Sequence, residues 1–197
     1  MGIRDITMNQ AEIDLLVLTA QQGSKKAFGL LYKHFHQPLV GFAFKFSNNR
    51  EFAHDAVQDT WIKVSKNIRQ LNDPRAFRSW LYKLLRWKII DYQRKINKEP
   101  VSIDDDLNSD DLVFTDDHEK TIYTENQSQN DETLSMAINS LPAIEKQIIH
   151  LFYLQELKIS EISIVLDIAE GTIKSRLNRA RKMLKQKYEN LEKQYEY

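Results

Sequence analysis

Several things are scarce in this chain of 197 residues, and each scarcity excludes something. There is no cysteine, so there is no disulfide and no thiolate metal site. The five histidines, His34, His36, His54, His118 and His150, are scattered, and none stands in a ligand pattern such as H-E-x-x-H. No metal and no cofactor is expected. Only four prolines and five glycines punctuate the sequence, which leaves room for long helices. The N-terminus, M-G-I-R-D-I-T-M-N-Q, lacks the apolar core of an export signal. No uninterrupted apolar run approaches membrane-spanning length, so no membrane insertion is expected and the location expected is cytoplasmic.

Net charge is also absent, but only as a total. Residues 1–98 carry a net +9, residues 99–140 a net −11 and residues 141–197 a net +2. Basic ends and an acidic middle suggest nucleic-acid contact by the ends and an acidic connector between them.

Nothing reads as strand. Apolar residues recur at helical spacing over 9–22 (Ile13, Leu16, Val17, Ala20), 24–36 (Phe28, Leu31, Phe35), 39–48 (Leu39, Phe42, Ala43, Phe46) and 51–68 (Ala53, Val57, Trp61, Val64, Ile68). Pro38 is read as the break between the second and third of these. Asp73–Pro74 looks like a cap and a first-turn proline that start a long helix to about Lys98. Residues 9–98 form a first helical domain. From 99 to 132 the periodicity fails and acids dominate, the composition of a flexible linker. A second helical domain spans 133–187, with 188–197 as a tail. The expected fold class is all-α, two small helical domains joined by an acidic linker.

Three constellations point to chemistry. The first is residues 171–187, G-T-I-K-S-R-L-N-R-A-R-K-M-L-K-Q-K, with seven Lys or Arg and no acid. Ile173, Leu177, Ala180 and Leu184 form one apolar stripe, so the rest of the helix is basic. A shorter helix (Ile159, Ile162, Val165, Leu166) and a turn at 167–169 precede it, and Gly171–Thr172 opens it. This is the pattern of a helix-turn-helix that reads duplex DNA. The outward residues are Thr172, Lys174, Ser175, Arg176, Asn178, Arg179 and Lys182. Arg can bond guanine with both ends of its fork, Asn can read adenine, and Lys and Thr suit phosphates. The bland alternative pairs Arg179 or Arg181 with Glu161 or Glu170.

The second is residues 74–98, with eight basic residues and the single acid Asp91. Its cations include Arg75, Arg78, Lys83, Arg86, Lys88, Arg94 and Lys95, interleaved with Phe77, Trp80, Tyr82, Trp87 and Tyr92. Cations and rings together suit single-stranded nucleic acid, whose bases stack and whose phosphates need charge. Phe77, Trp80 and Leu81 read better as core; Trp87 and Tyr92 are the open cases. The third is D-A-V-Q-D-T-W at 55–61. Glu51, Asp55 and Asp59 make an acidic stripe beside Gln58, opposite Val57, Trp61 and Val64. It fits a basic protein partner, or it is merely a solvated face.

Together these motifs resemble the extracytoplasmic-function class of bacterial RNA polymerase sigma factors. D-A-V-Q-D-T-W-I-K-V is similar to the segment of sigma region 2 that grips the coiled coil of the largest polymerase subunit. S-W-L-Y-K-L-L-R-W-K-I-I-D-Y-Q-R-K resembles the segment that melts and reads the −10 element. Leu141–Pro142 and E-I-S-I-V-L-D-I-A-E-G-T-I-K-S-R-L-N-R-A-R resemble region 4, which reads the −35 element. The resemblance implies a non-enzymatic initiation factor. Core RNA polymerase would be held through Glu51, Asp55, Gln58, Asp59 and Trp61, and promoter DNA through the two basic helices and the loop 67–73. An anti-sigma factor is a further partner the resemblance allows. It also implies that the acidic linker threads into the polymerase channels. Two residues depart from the family: Trp87 where Asn is usual, and Lys158 where a hydroxyl cap is usual. A helix-turn-helix regulator that never meets core polymerase is the rival reading. A metal-dependent nuclease is a poorer one, since the linker acids Asp104 to Asp106, Asp110 and Asp111 lie in sequence that cannot preorganise a site.

Overall fold

A computed structural model describes residues 8–97 and 129–195. The proposed linker at 99–132 lies almost wholly outside these residues. The protein is all-α, with no strand among the described residues. It divides into an N-terminal and a C-terminal unit.

The N-terminal unit has four long helices. α1 (Gln10–Gln21) starts with a reciprocal cap: Asn9 Oδ1 accepts the Glu12 N–H at 3.0 Å, and Glu12 Oε2 accepts the Asn9 N–H at 2.8 Å. α2 (Lys25–Ser47) is capped by Ser24, and α3 (Arg50–Asn67) by Asn49, whose side chain accepts the Phe52 N–H at 2.8 Å. α4 (Phe77–Asn97) follows two short 3-10 turns, Ile68–Gln70 and Pro74–Ala76. Asp73 caps the second turn by accepting the Arg75 N–H at 3.0 Å. Each helix turns one apolar stripe inward. Ile13 and Val17, Leu31, Phe35 and Leu39, Ala53, Val57 and Val64, and Phe77, Leu81 and Leu85 are all buried, and α2 packs on each of the other three.

Pro38 does not break the chain into two helices. It lies inside the continuous α2. The proline removes one backbone donor, but buried Phe35, Leu39, Val40 and Phe42 on either side hold both halves against the core. The helix ends at Asn48, which adopts the left-handed conformation with φ of 48° and donates its N–H to Phe44 O.

The C-terminal unit contains α5 (Gln129–Asn139), α6 (Ala143–Ile149), α7 (Ile159–Leu166) and α8 (Glu170–Tyr195). α6 runs on into a π-turn, His150–Leu154. α8 packs on α5 and α6. The turn between α7 and α8 depends on Asp167, whose φ of 61° reverses the chain. Ser163 fastens that turn, its hydroxyl donating to Ile168 O at 2.6 Å. Lys158 occupies the N-cap position of α7 without a capping side chain. Ser160 does not replace it; Glu161 does, by accepting the Lys158 N–H at 2.8 Å. α8 begins at Glu170, one residue before the expected Gly171–Thr172 start, and continues through Tyr195 into the segment 188–197.

Candidate nucleic-acid interface

Three surfaces follow from this packing. On α3, Ala53, Ala56, Val57, Thr60 and Val64 face inward, so Glu51, Asp55, Gln58 and Asp59 are all exposed. The acidic stripe is therefore a real surface. Trp61 does not belong to it. Its side chain is 4% exposed, meets Phe28 edge-on at 5.7 Å and lies 5.2 Å from the Tyr32 ring. Position 61 falls on the inward face of α3, where a large ring contributes more by burial than it could at a wet surface.

Asp59 also bridges two of the surfaces. Its carboxylate accepts from Lys88 Nζ on α4 at 2.9 Å. Other cations of α4 are similarly engaged. Arg75 holds Asp73 with two nitrogens, at 3.0 and 3.1 Å, and Lys95 pairs with Asp91 at 2.9 Å. The Arg75 hydrogen bonds keep the Asp73 carboxyl below its ordinary pKa. Exposed pairs of this kind are worth about 0–1 kcal/mol, so a phosphate can displace them. Arg78, Lys83, Arg86 and Arg94 are half-buried, with their charges along the same helix.

The aromatics of α4 separate into three roles. Phe77 and Tyr82 are core. Tyr92 is half-buried and stacks on Phe52, with ring centres 3.7 Å apart; its hydroxyl accepts from Asn49 Nδ2 at 3.0 Å. Gln93 Nε2 donates to Phe46 O at 2.7 Å beside it. Tyr92 thus fastens the end of α4 to the α2–α3 junction. Trp87 is 45% exposed and is the ring of this helix left open to solvent. Trp80 was expected in the core with Phe77 and Leu81, but it is only half-buried. It lines an open pocket of about 580 Å³ together with Leu71, Leu84, Lys63, Asn67, Asn72 and Asp73. The pocket joins the loop 67–73 to α4, a juxtaposition that helical periodicity alone does not reveal.

On α8, Ile173, Leu177 and Ala180 are buried. Thr172, Lys174, Ser175, Asn178, Arg179 and Lys182 are exposed. Ser175 donates to Thr172 O at 2.9 Å. Arg176 differs from its neighbours. Its guanidinium lies 3.4 Å from Glu145 on α6, a carboxylate 2% exposed. Arg181 donates to the Tyr153 hydroxyl at 2.7 Å and lies over the Phe152 and Tyr153 rings. The pairings are thus neither with Glu161, which caps α7, nor with Glu170. Among the described residues no cluster of His and acids could hold a metal ion, and no helix is long and apolar enough to cross a membrane.

Comparison with known proteins agrees with this geometry. Residues 31–99 match Sigma-70 region 2, and residues 131–184 match Sigma-70 region 4. The RNA polymerase sigma factor SigV of Bacillus subtilis is 31% identical over 149 residues, 76% of this chain and 83% of that protein. The ECF RNA polymerase sigma-E factor of Haemophilus influenzae is 29% identical over 182 residues, 89% of this chain and 95% of that protein. Among solved structures, the sigma factor RpoE of Bartonella quintana, in complex with the anti-sigma factor NepR, has the same fold. It is 24% identical with a TM-score of 0.61, covering 83% of this chain and 98% of that one. With two sigma regions in order along the chain and relatives that span most of it, this protein belongs to the extracytoplasmic-function class of RNA polymerase sigma factors, which bind core RNA polymerase and direct it to promoters.

Proposed function

We propose a division of labour among the three surfaces. The α3 stripe of Glu51, Asp55, Gln58 and Asp59 is the grip on core RNA polymerase. The pocket and α4 handle the −10 element: an unpaired base enters against Trp80, while Trp87 and the cations from Arg75 to Lys95 hold the melted strand. The face of α8 from Thr172 to Lys182 reads the −35 duplex, with Asn178 and Arg179 toward base edges and Lys174 and Lys182 toward phosphates. Sigma factors are not enzymes, and on this reading the chain itself catalyses nothing and works in the cytoplasm with the polymerase. An anti-sigma factor is a natural antagonist, as NepR is found on the Bartonella protein.

One observation carries the proposal. An acidic stripe and a basic, partly aromatic surface with a pocket occupy neighbouring helices of one small unit, each exposed because the other face of its helix is core. Transcription in vitro with core polymerase over a library randomised at both elements tests it. Variants on α3 should lose all transcripts alike, variants at the pocket should change the preferred −10 sequence, and variants on α8 should change the −35 sequence. Loss of core binding on substituting α8, or an unchanged −10 preference on substituting Trp80 and Asn72, would refute it.

A further inference from the structure

The loop that forms one side of the pocket is held from outside the stretch that matches region 2. That match begins at residue 31. Gln21, the last residue of α1, lies ten positions earlier. Its side-chain amide donates to Ile68 O at 2.9 Å and to Leu71 O at 2.7 Å. Both acceptors are carbonyls, so only the nitrogen of the amide fits there.

One NH₂ group thereby spans the two ends of the 3-10 turn Ile68–Gln70. Ile68 O also accepts the Leu71 N–H at 3.2 Å, which closes the same turn from within. Two carbonyls three residues apart, fixed to one rigid planar group, set the curvature of the segment that presents Gln70, Leu71 and Asn72 to the pocket. α1 is placed for this by its own end. Gly23, at φ of 98°, takes the backbone into a region that side chains rarely adopt, and the chain turns away at once into α2.

We propose that Gln21 is a positioning residue for −10 recognition: it touches no DNA, and it holds the loop 68–72 in the shape that admits and discriminates the base. The proposal rests on the reading of the pocket given above. A loop fixed in advance need not be ordered when the promoter binds, so discrimination is decided by fit. Loosened, the same loop would adapt to several bases and lose selectivity before it lost binding.

The test uses the full chain reconstituted with core polymerase. The preferred −10 sequence is first selected with the wild type. Transcription from it is then compared with transcription from its single-base variants, with −35 variants as control. Gln21→Leu keeps the bulk and removes both donors. Where the wild type discriminates about tenfold at a −10 position, Gln21→Leu should discriminate less than about threefold, with −35 ratios and core affinity unchanged. Gln21→Lys, which restores donors, should recover most of the ratio. If Gln21→Leu melts below the assay temperature, Gln21→Asn is read by the same rule, since its amide is one methylene short. A folded variant with wild-type −10 ratios overturns the proposal. Asn72→Ala and Trp80→Ala separate the two levels. If they alter the −10 ratios and Gln21→Leu does not, Gln21 alone is misassigned; if none of the three does, the pocket itself is.

Discussion

Arg176 of the basic helix reaches back to Glu145, whose carboxylate is 2% exposed and 3.4 Å away. The outward-facing cations of α8 are therefore not equivalent. Arg179, one turn on, is exposed and makes no ion pair among the described residues.

Arg176→Ala should destabilise the protein by about 1–3 kcal/mol, because it removes a charged partner from a buried carboxylate. Arg179→Ala should leave the melting temperature within about a degree of wild type, and cost about 1–3 kcal/mol of −35 binding if it meets a base. Thermal melts and promoter gel shifts of both variants decide it. Equal melting temperatures would mean that the Glu145 contact contributes nothing.

Asp55→Lys combined with Asp59→Lys should weaken core polymerase binding about tenfold or more while helicity stays constant, since two exposed charges are reversed on an otherwise intact face. A pull-down titration alongside circular dichroism measures both. Unchanged affinity would assign core binding to another surface.

Trp87→Ala should cost little stability, because the ring is 45% exposed. It should shorten the lifetime of the open complex by the equivalent of about 1–3 kcal/mol, the usual worth of one base stacked on a ring. The duplex-bound closed complex should be unaffected. Open-complex decay after a competitor challenge is the measurement.

Acid should loosen the N-terminal unit. Burial, and then repulsion from His54, lowers the pKa of His36 below the ordinary 6.5; burial, and then Arg78, does the same for His34. In both cases the unfolded chain takes up protons that the folded one refuses. Stability is then fully present above about pH 6.5 and declines as the pH falls below it. His36→Gln should flatten the fall in melting temperature between pH 7 and pH 5. A slope as steep as wild type would exclude His36 as its source.

Much of the architecture was readable from residue patterns, because it depends on near neighbours. Asp73 caps a turn two residues away, and Ile173, Leu177 and Ala180 share a face by spacing alone. The places where the reading erred need contacts between distant residues. Pro38 breaks helices by local rule, yet burial on both sides of it prevails. Trp61 shares a motif with exposed acids but sits on the opposite face of α3. Arg176 finds Glu145 across 31 positions, and Gln21 finds Leu71 across 50. No periodicity encodes such pairs. The exposure of Trp80 was hidden for the same reason, since the wall opposite it comes from a loop.

The bond between Asp59 and Lys88 has a consequence for ions. While Asp59 neutralises it, Lys88 gathers no phosphate and frees no condensed cation from DNA. When a basic partner occupies Asp59, that lysine becomes one more site of counterion exchange. The promoter affinity of the assembled enzyme should then fall more steeply with the logarithm of salt than the separate contributions of its parts would give, by about one unit of slope for each lysine so released.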